Sequence, residues 1–484
     1  MSKKRNKEND VIVTLYGGQS EGVTGSCTIV SYNTLEGRKH LLIELGGIQG
    51  SNTILGEYNE NKRMLENIPV EGATYCFGIH SHMDHLMHLP YLNVKGFNGR
   101  IIMPYQCAEI SKKLILDSVH IHKKNCEYLR SKGSKVKEFY VEQDAWAVLD
   151  KIENVTVGEI HKLDDYISVR YTNNSHVVGA TQLELFIRKL SGRVVKIHIT
   201  SDLGNRNNLK LQPFLKETEY VTTSNLTLME STYGLGDRET TYEDCIRERI
   251  ELKDTINKFI NNSQSVLIPC FSFGRLQSIM CWCYETFKDT WNMEVPIIVD
   301  TKLGNEINEV YKRILDEEDK EYWNKVMAWK PFTYIKEYPS TLAFLTSKQH
   351  ALILSSSGMI SAGHSTLYAK QLLGSSNAAI LFCGYCSPNT IGGKILNENQ
   401  KTVTIDGSVV LKRCYIKKFD TFSSHASQKD LIHYIKQLNT DRIVLHHGDK
   451  ASKEELKKVA DIELRKINKT TKIVCSSKDM QFVL

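Results

Sequence analysis

The run HSHMDHLMHLP, residues 80–90, sets His80, His82, Asp84, His85 and His88 within nine positions, directly after the apolar stretch TYCFGI. A buried strand that ends in such a loop constrains the fold, because imidazoles and a carboxylate must share a small space at the strand's carboxyl end. Alternation after an extended segment predicts that His80, His82 and Asp84 aim to one side. Imidazole and carboxylate are the ligands zinc prefers, and catalytic zinc keeps a position open for water. The spacing demands nothing of His88, for which a packing or supporting role is expected.

One loop cannot enclose two metals, so other segments must contribute. Four polar stretches stand at the ends of apolar runs: SHVVGA with His176, ITSDLG with Asp202, SSHAS with His425, and LHHGD with His446 and His447. Each alone reads as an ordinary structural histidine or acid. Their joint occurrence, in order after HSHMDH, points to one composite site.

The chain of 484 residues exceeds one hydrophobic core, so two domains are expected. Hydrophobic residues at 41% and charged residues at 24% place it among globular proteins. No apolar run reaches the roughly 18 residues that span a bilayer, and MSKKRNKEND lacks the apolar segment of an export signal, so no membrane is expected as a partner. The net charge of +6 permits a polyanionic partner without demanding one. Twelve cysteines are scattered through strand-like runs such as SVLIPC and AAILFC, which predicts reduced thiols and a cytoplasmic location. Cys383 and Cys386, in CGYC, lack a second pair at matching distance and read as a strand end entering a turn.

The first hundred residues are mostly β: VIVTLY, CTIVSY, HLLIEL, TYCFGI and RIIMPY. A helix follows through AEISKKLILDSVHIHKKNCEYL, then a hairpin through QLELFIRKLSGRVVKIHITSD. From about residue 235, apolar strands (SVLIPCFS, VPIIVD, ALILSSS, AAILFCGY) alternate with helical patterns, the signature of a parallel sheet covered by helices. After about 408 the texture returns to β in TVTIDGSVVLKRCYIKKF. The fold class is therefore α/β, with one α/β domain inserted in another.

As a set, HSHMDH, SHVVGA, SDLG, MESTYG, SSHAS and LHHGD resemble the metallo-β-lactamase superfamily and, within it, the β-CASP nucleases, over about residues 11–480. The resemblance implies an αββα sandwich with an inserted parallel-sheet domain. It divides the chain into 1–235 and 409–484 for the outer domain and 236–408 for the β-CASP insertion. It also implies two zinc ions, one held by His80, His82 and His176, the other by Asp84, His85 and His447, with Asp202 bridging. Two such metals about 3.5–4 Å apart suit phosphodiester hydrolysis. Asp84, Glu230 and His425 form the implied catalytic set, with His425 giving a proton to the leaving oxygen and Glu230, in MESTYG, orienting it. In the insertion, Arg275 of PCFSFGR, Ser357 of SSSGMISAG and Lys394 of GGK are candidate substrate contacts, and Tyr233 and Phe273 are candidate stacking rings.

Three positions depart from the family pattern. IELGG places Glu44 where an aspartate orients a metal-binding histidine, and the extra methylene is expected to loosen that support. His364, in SAGHS, stands where relatives often carry arginine, and His88 replaces a small residue. Histidine at the last metal position, His447, favours RNA over DNA among the family's substrates. The implied activity is a single-strand ribonuclease, endonuclease or 5′ exonuclease, working alone, as a homodimer or within a processing complex. A DNA nuclease of the same family, a small-molecule hydrolase of the superfamily and a non-catalytic scaffold subunit are the competing readings.

Overall fold

The computed structural model describes residues 10–51, 53–206, 213–221, 223–236 and 241–484. These form two compact units. The first takes the described residues of 10–206, 215–236 and 424–484, and the second takes those of 213–214 and 241–423.

The first unit is built on two seven-stranded sheets. In one the order is Gln481–Val483, Ile12–Leu15, Thr28–Thr34, Gly37–Ile43, Ala73–Phe77, Arg100–Pro104 and Ile152–Val155. In the other it is Lys472–Cys475, Arg442–His446, Leu226–Glu230, Val194–Ile199, Thr181–Arg188, Ile167–Asn173 and Ile160–Lys162. Val13, Leu41 and Phe77 of the first sheet form one apolar cluster with Leu185, Ile197, Leu228 and Val444 of the second. Each such buried side chain contributes about 1.5–3 kcal/mol, which ties the two sheets face to face. The outer face of the first sheet packs with the helices Ile54–Glu66 and Tyr105–Ser131 through Leu42, Cys76, Met64, Leu65 and Ile115. The outer face of the second packs with Gln428–Gln437 and Lys450–Lys466 through Leu445, Leu431, Leu456 and Leu464. This is the expected αββα sandwich.

The hairpin through LSGR forms as the alternation predicts, with Val194 opposite Arg188 and Ile199 opposite Leu183. The helix Ile54–Glu66 is absent from a reading of the first hundred residues as mostly β. Its start is signalled by Thr53, whose side chain accepts from the Gly56 amide.

The second unit holds a six-stranded sheet in the order Phe332–Ile335, Ile297–Asp300, Leu352–Ser355, Ser265–Pro269, Ala378–Phe382 and Tyr415–Lys418, every pair parallel. Burial of strands such as Ile297–Asp300 and Leu352–Ser355 along their whole length explains their continuous apolar runs. The limits differ from those read in the sequence. The strand Tyr415–Lys418 pairs with Ala378–Phe382, so the inserted unit runs to 423 rather than 408. Phe214, expected in the outer domain, packs edge-on against Tyr311 and Trp323 of the inserted unit. Sheet membership is decided by hydrogen-bond partners, which a change of texture at 408 does not report.

All twelve cysteines are free thiols, with Cys383 buried and Cys386 half-buried. No described helix is long and apolar enough to cross a membrane.

Candidate metal centre

The topology of the sandwich gathers the site at strand ends. Asp202, Glu230 and His447 sit at the carboxyl ends of Val194–Ile199, Leu226–Glu230 and Arg442–His446, three adjacent parallel strands. From the facing sheet, Glu44 and the His80 loop follow Gly37–Ile43 and Ala73–Phe77, again parallel neighbours. His176 lies between the antiparallel strands Ile167–Asn173 and Thr181–Arg188. Residues hundreds of positions apart converge because parallel neighbours end on the same edge.

The HSHMDH segment differs from a uniformly extended loop. Met83–Leu86 forms a helical turn with His82 at its N-cap, and the His85 amide donates to the His82 carbonyl at 3.0 Å. One short motif thus contributes to several overlapping ligand groups: Glu44, His80 and His85 form one, with the His80 and His85 ring centroids 3.9 Å apart, and two others share Asp202. Of those two, the first is His80, His82, His176 and Asp202; the second is Asp84, His85, His447 and Asp202. Within each, the ligand atoms lie within 4.8 Å of one another. Asp202 faces both: Oδ2 stands 3.6 Å from His80 Nε2 and 3.5 Å from His176 Nε2, while Oδ1 stands 3.4 Å from His85 Nε2 and 3.3 Å from His447 Nε2. Asp84 Oδ2 lies 3.7 Å from His85 Nε2 and 3.6 Å from His447 Nε2.

These donors fit cations. Nε2 of His85, His176 and His447 and Oδ1 of Asp202 are buried with no hydrogen-bond partner among the described residues. An unsatisfied buried polar atom costs about 1–3 kcal/mol, a cost that a bound cation would offset. Burial, reinforced by neighbouring imidazoles, holds His80 and His176 well below the usual histidine range and His82 at about 4, which leaves their lone pairs available. Burial opposes ionisation of Asp202, but His447, His85, His425 and His80 outweigh it and hold that carboxyl well below its usual range.

The backbone is bent to suit. Glu44, Ser175, Ser201 and His447 adopt φ of 61°, 55°, 49° and 50°, a left-handed region that costs a non-glycine residue about 1–3 kcal/mol and clusters at functional sites. Close approach also fixes Gly46, where an added Cβ would lie 1.7 Å from the Asp84 carbonyl oxygen.

Supporting contacts orient the ligand rings. Ser201 Oγ lies 3.2 Å from His80 Nδ1, and Thr232 Oγ1 lies 3.1 Å from His447 Nδ1. Neither was singled out in the sequence; adjacency to Asp202 and Glu230 is their only signal. Glu44 corrects an expectation. Its longer side chain reaches His85 Nδ1 at 2.7 Å and accepts from Ser26 and Ser201, so the extra methylene leaves the support in place. Burial opposes protonation of His85, yet Glu44, then Asp202 and Asp84, raise its pKa well above the usual value. Glu44→Ala is expected to lower metal affinity about 10–100-fold, measured by competition with a chelator of known strength.

Beside the cluster, Glu230 is completely buried, where a surface acid at a strand end would be open to water. Its Oε1 accepts from the Leu203 amide at 2.7 Å and lies 3.3 Å from His425 Nδ1, and its Oε2 accepts from the Thr232 amide at 3.1 Å. His425 is held by backbone pairing of its neighbours: Ala426 N donates to Leu203 O at 2.8 Å and Asn205 N to Ser424 O at 3.1 Å. Its Nε2 stands 3.9 Å from Asp202 Oδ2. Burial pushes the His425 pKa down, but Glu230 and Asp202 outweigh it and raise the pKa to about 10.

Other candidates fall elsewhere. His88 is a packed residue, with Nε2 2.7 Å from Asn61 Oδ1 and Nδ1 3.0 Å from the Tyr140 hydroxyl. His446 is buried behind His447, and burial brings its pKa to about 3. Tyr233 meets the His425 ring edge-on, while Phe273 is buried at 4% exposure and offers no open stacking face. Arg275, Ser357 and Lys394 belong to the inserted unit, where they follow the carboxyl ends of the adjacent strands Ser265–Pro269, Leu352–Ser355 and Ala378–Phe382. Ser357 Oγ is engaged within its own loop, accepting from Ser361 N at 3.0 Å, and Lys394 is exposed. His364 Nδ1 lies 2.7 Å from Asp300 Oδ1 and 3.0 Å from Thr341 Oγ1.

Known proteins share this architecture. Residues 276–395 match the Beta-Casp domain, and residues 410–471 match the Zn-dependent metallo-hydrolase RNA specificity domain. Integrator complex subunit 11 of Danio rerio is 26% identical over 467 residues, 93% of this chain and 71% of that protein. Cleavage and polyadenylation specificity factor subunit 3-II of Arabidopsis thaliana is 25% identical over 92% of this chain and 69% of that one. RNase aCSPSF2 of Saccharolobus solfataricus is 25% identical over 86% and 77%. A crystal structure of a protein of unknown function from Enterococcus faecalis V583 shares the fold, with a TM-score of 0.54 over 98% of this chain and all of that one at 13% identity. A sandwich that brings two histidine groups onto one shared aspartate, together with a parallel-sheet unit that matches the Beta-Casp domain over residues 276–395, makes the chain similar to the β-CASP proteins of the metallo-β-lactamase superfamily.

Proposed function

We propose that the chain is a zinc-dependent ribonuclease that hydrolyses phosphodiester bonds of single-stranded RNA, and that two zinc ions would be held by the histidine and aspartate groups that meet at Asp202. The observation that carries this reading is the position of Asp202, one oxygen toward His80 and His176 and the other toward His85 and His447. His80, His82 and His176 would hold one ion and Asp84, His85 and His447 the other, matching the two ligand groups. When bound, the pair of zinc ions would polarise a phosphate and make water a nucleophile at neutral pH.

The chain's own residues supply the remaining proton. Glu230 keeps His425 protonated and turned by its Nδ1, which leaves Nε2 on the side of Asp202. A proton at that nitrogen can be delivered to the departing ribose oxygen, and a positioned general acid of this kind contributes about 10²–10⁴-fold. Glu44, Ser201 and Thr232 hold the imidazoles so that the ligand atoms stay in place through the reaction. RNA as substrate is supported by the RNA specificity domain matched at 410–471 and by relatives named as an RNase and as cleavage and polyadenylation factors. The unpaired thiols support a reducing compartment, and the cytoplasm is the one proposed.

The test is incubation with RNA and DNA labelled at either end. Cleavage of RNA, abolished by a chelator and restored by zinc, is expected, and the end-labelled products separate internal cuts from stepwise trimming. Equal rates on DNA, or cleavage that survives complete chelation, would overturn the reading.

A further inference from the structure

The charge of the chain is unevenly placed. Residues 123–138 carry six basic and two acidic side chains, a net +4 out of the chain's +6. They form the second half of the helix Tyr105–Ser131 and the segment after it. Lys123, Lys124, Lys132, Lys135 and Lys137 are all exposed. None makes an ion pair with a described residue, whereas Arg130 is satisfied by Glu138 at 2.8 Å.

Other helix surfaces of the same protein behave differently. On Lys450–Lys466, Lys457, Lys458 and Lys466 are matched by Asp461, Glu455 and Glu463 one turn away, and on Glu317–Met327 the lysines 320 and 325 are matched by Glu317 and Glu321. Favourable interaction with a helix C-terminus accounts for cations in the last turn only, and Lys123 and Lys124 stand two turns before it.

The patch also carries apolar surface. Ile121, Lys124, Tyr128 and Lys132 recur at three- and four-residue steps and so share one stripe. Tyr128 is 51% exposed and Ile121 49%, and the Lys132 ammonium lies 5.7 Å from the Tyr128 ring centroid. Unmatched cations flanking an open aromatic ring are what a single strand of nucleic acid requires: counter-charges for phosphates and a face for a base. An acidic peptide would use the charges but give the ring no flat partner.

We propose that this stripe, centred on Tyr128 with Lys124 and Lys132, is a second contact surface for single-stranded RNA, outside the metal centre. The proposal rests on the ribonuclease reading for its substrate class. The start of the same helix touches the metal loop, since Ser81 Oγ donates to the Cys107 carbonyl at 3.1 Å. Tyr128 lies about 30 Å further along the helix at 1.5 Å per residue, so only an RNA longer than the segment being cleaved reaches both.

The experiment compares the zinc-loaded protein with K124E/K132E/K135E and with Tyr128→Ala, using single-stranded RNAs of about 30 and about 6 nucleotides, lengths that do and do not exceed one binding segment. The triple variant is expected to raise KM for the long RNA about tenfold with kcat unchanged, and to leave the short RNA unaffected. In fluorescence anisotropy with a hydrolysis-resistant phosphorothioate strand of the long sequence, three lost phosphate contacts should flatten the slope of log affinity against log salt by about 2. Tyr128→Ala should weaken long-RNA binding without changing that slope. Unchanged affinity and slope for the long RNA would overturn the proposal, and so would an equal loss on the short RNA, which would place the defect at the metal centre or in the fold. The anisotropy arm does not depend on cleavage, so a protein that binds the long RNA through this stripe but hydrolyses nothing would sink the ribonuclease reading and leave the surface standing.

Discussion

Asp202→Ala is expected to abolish cleavage, by about 10⁴-fold or more, the scale on which an interdependent catalytic set fails when one member is removed. Its two oxygens face both ligand groups, so its removal takes a ligand from each. Metal analysis of the purified variant should show both zinc ions weakened together. His82→Ala, which sits in the first group only, should reduce occupancy of that group and leave part of the second. If Asp202→Ala retained the full zinc content of the wild type, the shared-carboxylate arrangement would have to be abandoned.

His425→Ala should keep the metals and lose about 10²–10⁴-fold in rate, the contribution of a general acid. The separation of metal content from activity is what distinguishes His425 from the ligands. The pH profile adds a direction. Burial lowers the His425 pKa, and the carboxylates of Glu230 and Asp202 overcome it to give about 10. The folded value lies above the unfolded one, so the charged pair stabilises fully below about 6.5, the ordinary histidine value, and the benefit is lost as pH rises through the folded pKa. Zinc on Asp202 would neutralise one of those two anions, so the alkaline limb of activity should fall below about 10 and be governed chiefly by Glu230. Glu230→Gln is therefore expected to move that limb to lower pH while the zinc content stays constant. An unmoved alkaline limb in Glu230→Gln would remove His425 from its role as proton donor.

Much of the site could be read from short-range pattern. HSHMDH is a local constellation, and its ligand types name the chemistry without any knowledge of the fold. The order of the later motifs was readable for the same reason, since each is a polar interruption directly after an apolar strand. Local backbone was not readable from alternation, which aligned Asp84 with His80 and His82; the family resemblance instead set Asp84 with His85 and His447, and the turn at Met83–Leu86 gathers those three with Asp202. Glu44 shows the limit of comparing side-chain lengths, because the backbone there adopts a φ of 61° and sets the carboxylate at bonding distance from His85. The end of the inserted unit was misplaced by fifteen residues, since Tyr415–Lys418 looks the same whichever sheet it joins.

The sequence by itself named the candidate ligands, through its motifs and the family they resemble, and determined the α/β class and the presence of an insertion, because residue type, hydrophobic period and the order of motifs are properties of the chain alone. Only the tertiary structure gives the distances at which the two oxygens of Asp202 face two histidine groups and Glu230 meets His425, and shows that five lysines around Tyr128 make no ion pair with a described residue. Those facts depend on which strands end side by side and which side chains find partners across space, and such distances are set by packing between segments that the linear order keeps far apart.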